Sequence, residues 1–86
     1  MKLENRATKL YLREIAPLQA IKLIEQYKIP SPYKEVLIVG CVGRKKDFEA
    51  LYLLEKDYQI YLSKRTYDRR LRDGLEMFYK SHTGKI

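Results

Sequence analysis

The run Ile29-Pro30-Ser31-Pro32 constrains this chain more than any other feature. Proline has no backbone donor and keeps its predecessor out of helical geometry, so neither a helix nor an interior strand passes through this point. The break falls about a third of the way along 86 residues. Pieces of that size cannot each bury a core, so both sides must share one, and the expectation is a single domain over 1–86. Ser31 before Pro32 reads as an N-cap with proline in the first helical position.

Ahead of the break, Leu3, Ala7, Leu10 and Tyr11 recur at helical spacing, which predicts a helix from Leu3 to Ala16. Pro17 ends it and opens a second amphipathic stretch through Leu18, Ile21, Leu23, Ile24 and Tyr27. Leu10, Ile15, Leu18, Ile21 and Ile24 are more apolar residues than two short helices need to cover so small a core. Residues 1–29 are therefore assigned to packing around the rest, or to a homodimer seam.

Behind the break, Val36 to Val42 is apolar on every side and rich in β-branched residues. As a strand it would be buried on both faces; as a helix it would sit at the centre of a small bundle. The Ser-Pro start and Gly43 favour helix, whereas Gly40 inside it counts against by about 1 kcal/mol relative to alanine. Asp47 then reads as the N-cap of a helix with Phe48, Leu51, Leu54 and Tyr58 along one stripe. Gln59 to Leu62 is a short connection, and Ser63 caps a last helix that runs to about Lys80. Ser81, His82, Thr83 and Gly84 read as a fraying tail over 81–86. The fold expected is all-α, a small bundle of about five helices. The alternative is a small α/β domain with strands at 36–42 and 59–63.

Charge is the second constraint. Eighteen Lys and Arg against eleven Asp and Glu leave a net +7, and the excess lies at the two ends. Residues 1–30 carry +3, residues 31–62 are neutral and residues 63–86 carry +4. A localised excess of this kind points to a polyanion, although small basic domains also use it for solubility. One cysteine and one histidine exclude a disulfide framework and a Cys/His zinc site within one chain. The longest apolar run, 36–43, is under half a membrane span, and residues 1–15 hold no apolar signal core. The expectation is a cytoplasmic protein without membrane contact.

In the last helix, Tyr67, Leu71, Gly74, Leu75 and Phe78 fall within about 100°, the width of a core-facing stripe. Gly74 lacks a side chain, so a crossing helix can approach closely there. Arg65, Arg69 and Arg72 cluster within about 60° on the opposite side, flanked by Lys64 and Arg70. Cations in a first turn oppose the helix dipole, the reverse of what stability alone would choose. Such an arrangement suits phosphates or guanine edges, as on a recognition helix. The plain alternative is a solvated basic face.

The residues Ser63-Lys64-Arg65-Thr66-Tyr67-Asp68-Arg69-Arg70-Leu71, followed by Gly74-Leu75, resemble the last helix of helix-turn-helix regulators related to sigma-factor region 4. They are most similar to small phage-type transcriptional regulators of the ArpU kind. The resemblance covers about 47–79 and implies a helix-turn-helix region within 31–80, with 47–58 as the supporting helix. It also implies a phage or mobile-element regulator that binds double-stranded DNA in a sequence-specific way; RNA polymerase is a further possible partner. Lys64, Arg65, Asp68, Arg69 and Arg72, behind the start at Ser63, are then the groove-facing positions. The chain departs from that pattern in its turn, 58–62, which is about two residues longer than is usual for the type and lacks glycine. Ile60 and Leu62 are placed to plug the core beneath it.

Arg44, Lys45, Lys46 and Arg70, with the N-terminal lysines, are expected to contact phosphates. Tyr52, Tyr58, Tyr67 and Tyr79 read mostly as core or boundary residues, and Tyr11, Tyr33 and Tyr61 as exposed ones available for stacking. Cys41 reads as an inert buried thiol. The carboxylates are scattered, and no glycine-rich phosphate loop is present, so neither an enzyme nor a cofactor is expected. The competing function is a small basic module that docks an acidic protein such as RNA polymerase or a nuclease.

Overall fold

The computed structural model describes residues 3–84, and they form five helices with no strand among them. They are α1 (Leu3–Glu14), α2 (Pro17–Gln26), α3 (Tyr33–Leu37), α4 (Asp47–Tyr58) and α5 (Lys64–Gly84). A π-helical turn over Ile38–Val42 continues α3. The apolar 36–42 segment is therefore helical and central, touching every other helix of the bundle. The strand alternative fails at both of its segments, because 59–63 is an irregular connection.

The wide turn closes with the Gly43 N–H donating to the Ile38 carbonyl at 2.8 Å, five residues back. Gly40 lies inside it, and a Cβ there would meet the hydroxyl oxygen of Tyr67. Gly40 is thus the notch that admits the buried Tyr67 ring, which accounts for a glycine in a helix that alanine would favour. A second notch lies on α5. At Gly74 a Cβ would stand 3.3 Å from Leu37 Cγ, so α3 and α5 approach almost backbone to side chain. All five residues of the stripe read on the last helix, Tyr67, Leu71, Gly74, Leu75 and Phe78, are buried. At roughly 31 Å, α5 runs nearly the longest dimension of the molecule, 34 Å.

Two other faces are rotated from the expected ones. On α1 the buried residues are Asn5, Thr8 and Leu12, while Leu3 and Leu10 are exposed. Leu10 shares its face with Arg6 and Arg13, and burying one leucine would drag two cations out of water, which costs more. On α4 the buried residues are Ala50 and Leu54, and Phe48 is 80% exposed. The small Ala50 side chain lets α4 lie close to the centre, which Phe48 in its place would prevent. Neither expected cap of the middle helices forms. The residue before α3 is Pro32 and the residue before α4 is Lys46, so Asp47 is already helical and Ser31 Oγ donates instead to Glu35 Oε2 at 2.8 Å.

The tail expected at 81–86 is corrected as far as it is described. Helix α5 continues to Gly84, and His82 enters an aromatic cluster with Tyr11, Tyr27 and Phe78. The Tyr27 hydroxyl lies 2.6 Å from His82 Nδ1 and donates to it in the tautomer protonated at Nε2. Residues 85–86 lie outside the described residues. Tyrosine placement is also revised: Tyr67 is buried, Tyr52, Tyr58, Tyr61 and Tyr79 are exposed, and Tyr11 and Tyr33 pack partly against the core.

Two stability measurements check this packing. Gly40→Ala should cost about 1–2 kcal/mol in denaturant unfolding despite alanine's better helix propensity. In a Tyr67→Phe background, where the hydroxyl is gone, the cost should disappear. His82→Ala should cost about 1–2 kcal/mol, whereas substitution in a fraying tail would fall within experimental error.

Candidate nucleic-acid interface

Helix α5 begins with a formed cap. Thr66 donates its N–H to Ser63 Oγ at 3.2 Å, and Ser63 Oγ donates to Thr66 Oγ1 at 3.0 Å. Ser63 therefore acts on the helix start, as its sequence position indicated. Burial of Tyr67, Leu71 and Leu75 fixes the rotation of the helix, so Arg65, Arg69 and Arg72 face solvent together.

The remaining α5 candidates are divided by geometry. Lys64 turns toward α4, where its Nζ lies 3.3 Å from Asp47 Oδ2 and 3.0 Å from Asp68 Oδ2. These bonds, Asp68 first and then Asp47, hold the ammonium above its ordinary pKa. Exposed pairs of this kind add little stability, but this one marks where two segments meet. Lys64 and Asp68, both expected to face a groove, stay about half exposed while paired with one another, and Lys64 also reaches Asp47 of α4. Arg72 keeps its exposure, with Nε 3.6 Å from Asp73 Oδ1. Arg70 is half-buried, its guanidinium 5.7 Å from the Tyr33 ring centroid, and so stands apart from the outward arginines.

The Asp47–Lys64 pair has a geometric consequence. Helix α4 is roughly 18 Å long, yet its first residue touches the first residue of α5 across the 59–63 connection. The connection must run back along α4, as its five residues in extended form can. Gln59 starts that reversal in left-handed geometry, with φ 57°, and the Ile60 N–H donates to the Leu54 carbonyl at 3.0 Å. Ile60 and Leu62 pack against the core beneath it. The N-termini of α4 and α5, each the positive end of a helix dipole, thus lie side by side next to the Arg44-Lys45-Lys46 loop.

The loop is tied in turn to α1. The Arg44 guanidinium donates to the Arg13 carbonyl, with Arg44 in left-handed geometry at φ 55°. Arg13 belongs to an α1 face that carries Arg6, Lys9 and Leu10 along one shallow groove. Lys9 and Arg13 are near enough to Cys41 for their charges to act on its thiol, and Arg13 acts likewise on Tyr67. Arg6 and Arg13 have no place among the sequence-derived candidates. Their signal was the i, i+7 spacing on the face that Leu10 appeared to claim for the core.

The 44–46 loop thus lies beside the starts of α4 and α5, and Arg44 joins it to Arg13, from which Lys9 and Arg6 lead back along α1 toward the half of α5 that α1 packs against, Glu76 to Thr83. The acidic groups beside the two helix starts, Asp47 and Asp68, are both bound to Lys64. Such a surface attracts polyanions and offers several separated phosphate contacts. Among the described residues no group of three His, Cys, Asp or Glu is placed to hold a metal ion, and no helix is long and apolar enough to cross a membrane. Comparison with family models, curated proteins and solved structures finds no match.

Cys41 lies beneath this end, fully buried. Desolvation pushes its thiol up to about 11, with Lys9 and Arg13 opposing the shift. A thiol in that state is not nucleophilic at neutral pH. Iodoacetamide at pH 8 should leave Cys41 unmodified in the folded protein and label it fully in denaturant, read by intact mass.

Proposed function

We propose that the chain is a sequence-specific double-stranded DNA-binding protein, with α5 entering the major groove. The observation that supports this best is the basic 44–46 loop beside the paired N-termini of α4 and α5, with Arg65, Arg69 and Arg72 turned outward and Arg44 linking the loop to Arg13 of α1. Arg65, Arg69 and Arg72 read base edges or adjacent phosphates from the outward face of α5. Arg44, Lys45 and Lys46 hold the backbone on one flank and Arg6, Lys9 and Arg13 extend the contact along α1. Lys64 and Asp68 set the position of α5 against α4 rather than touching bases, so Arg65, Arg69 and Arg72 carry the direct contact.

The sequence resemblance to sigma-region-4-related, ArpU-like regulators agrees with this reading and narrows it to a transcriptional regulator of a phage or other mobile element, working in the cytoplasm. In that role Leu18, exposed on α2 away from the α1 cations, favours a homodimer that presents two α5 helices to a palindromic site. A basic module that docks an acidic protein, RNA polymerase included, draws on the same charges. Duplex DNA accounts better for cations spread over α1, the 44–46 loop and α5 than a single acidic patch does.

Selection from a random duplex library, followed by binding measurements over a salt series, tests the proposal. Arg65→Ala, Arg69→Ala and Arg72→Ala together should weaken binding at least about 100-fold at about 1–3 kcal/mol per contact, with the circular dichroism unchanged. Arg6→Ala, Lys9→Ala and Arg13→Ala together should lower the slope of log K against log salt by roughly 3 while leaving the selected sequence the same. Unchanged duplex binding in the α5 triple variant removes α5 as the reading helix.

A further inference from the structure

Phe48 and Tyr52 stand one turn apart on the outer face of α4, 80% and 61% exposed. They border a shallow groove with Glu49 and Leu53, and Lys45 closes its margin at the helix start. Glu49, Glu55 and Lys56 surround the rings and are exposed themselves. The Lys56 ammonium lies 5.8 Å from the centroid of the Tyr52 ring. The face is thus aromatic at its middle and of mixed charge around it.

We propose that this face is the seam of a homodimer, in which α4 packs antiparallel against α4 of a second copy across a two-fold axis beside Tyr52. The order of the charges identifies the occupant. At about 100° and 1.5 Å per residue, Glu49 and Lys56 fall on one flank of Tyr52, about 4.5 Å before it and about 6 Å after it. Phe48 and Glu55 fall on the other flank, about 6 Å before and about 4.5 Å after. A perpendicular two-fold axis lays like flanks together and reverses their order along the helix. Glu49 of each copy then meets Lys56 of the other, and the pair occurs twice. Phe48 of each copy lies over the stem of Glu55 of the other, and the two Tyr52 rings meet at the axis.

Other occupants match this pattern less well. A polyanion meets Glu49 and Glu55 within the face. A basic partner would pair with those carboxylates but oppose Lys56. Two copies aligned in parallel would set Glu49 against Glu49 and Lys56 against Lys56. An antiparallel copy gives each of these two charges its opposite. Lys45 stands at the outer end of the seam, beyond the paired charges, where its ammonium stays open to solvent and to phosphate. Aromatic side chains bury roughly 150–250 Å² each, so the rings with Glu49, Leu53 and Lys56 cover roughly 500 Å² per copy. Twice that area is about the minimum for a specific interface, so the dimer is weak and depends on concentration. This seam rests on the homodimer reading above and locates it on α4, because Leu18 alone supplies less apolar area than the two rings together. It does not rest on duplex binding.

Sedimentation equilibrium of the full chain without nucleic acid, from about 10 µM to about 1 mM, tests the seam. The unmodified protein should show a monomer–dimer equilibrium in that range. A Phe48→Ala, Tyr52→Ala double variant should weaken association at least about 10-fold. Glu49→Lys alone and Lys56→Glu alone should each weaken it, since each sets like charges together. The two swaps combined should restore it to within about twofold of the unmodified protein. All four positions are exposed, so the circular dichroism should change little. A chain that stays monomeric throughout overturns the seam and the homodimer together. A dimer that the ring variant leaves intact overturns the seam alone, as does one that Leu18→Asp dissolves and the ring variant does not. Single swaps without effect, or a combined swap no better than either single one, also overturn it. Should the ring variant lose helicity, the charge swaps decide.

Discussion

Everything in this bundle depends on how closely α5 lies against the central helix. Two glycines permit that approach from opposite sides. Gly74 on α5 receives Leu37, and Gly40 in the π-helical turn receives the Tyr67 hydroxyl. With 14 buried apolar residues in the core cluster among the described residues, the domain has little apolar surface to spare, and interlocking contacts of this kind use it well. The same contacts fix the rotation of α5 about its axis. Once Tyr67, Leu71, Leu75 and Phe78 are committed inward, the arginines have only solvent to face.

The placement of the basic end follows from that commitment through short-range links. The 59–63 connection returns along α4 and sets Lys64 beside Asp47; the 44–46 loop precedes α4 and therefore lies at the same end. Arg44 reaches back to the Arg13 carbonyl and brings the α1 face into line. None of these links is strong alone, and exposed ion pairs contribute little to stability. Their consequence is spatial: Arg13 of α1, the 44–46 loop and the starts of α4 and α5 are joined although they stand dozens of residues apart in sequence.

Sequence is most legible where one helix decides its own geometry. The α5 stripe, Gly74 and the Ser63 cap are local and periodic, and all three appear where the spacing puts them. Sequence is less legible where residues compete for a face. Leu10 lost the core to Thr8 and Leu12 because Arg6 and Arg13 share its side of α1, and Phe48 lost it to Ala50, whose size suits the close packing of α4. Contacts between distant segments left almost no local signal. Gly40 looked like a defect until Tyr67, 27 residues away, filled it, and His82 looked like a tail residue although its partner Tyr27 lies 55 positions earlier. The site divided in the same way. The outward arginines were legible from the wheel, whereas the engagement of Lys64 by Asp47 and the withdrawal of Arg70 toward Tyr33 required the packing of three helices.

The central claim is that α1, the 44–46 loop and the start of α5 act as one surface toward duplex DNA. The most direct measurement is a titration of the isotope-labelled protein with a selected duplex, following backbone amide shifts by nuclear magnetic resonance. The account predicts perturbations concentrated at 6–13, 44–47 and 63–72, with the α2 amides and those of 78–84 little changed. Perturbations centred on α2 or on the His82 cluster, with 63–72 silent, would contradict it.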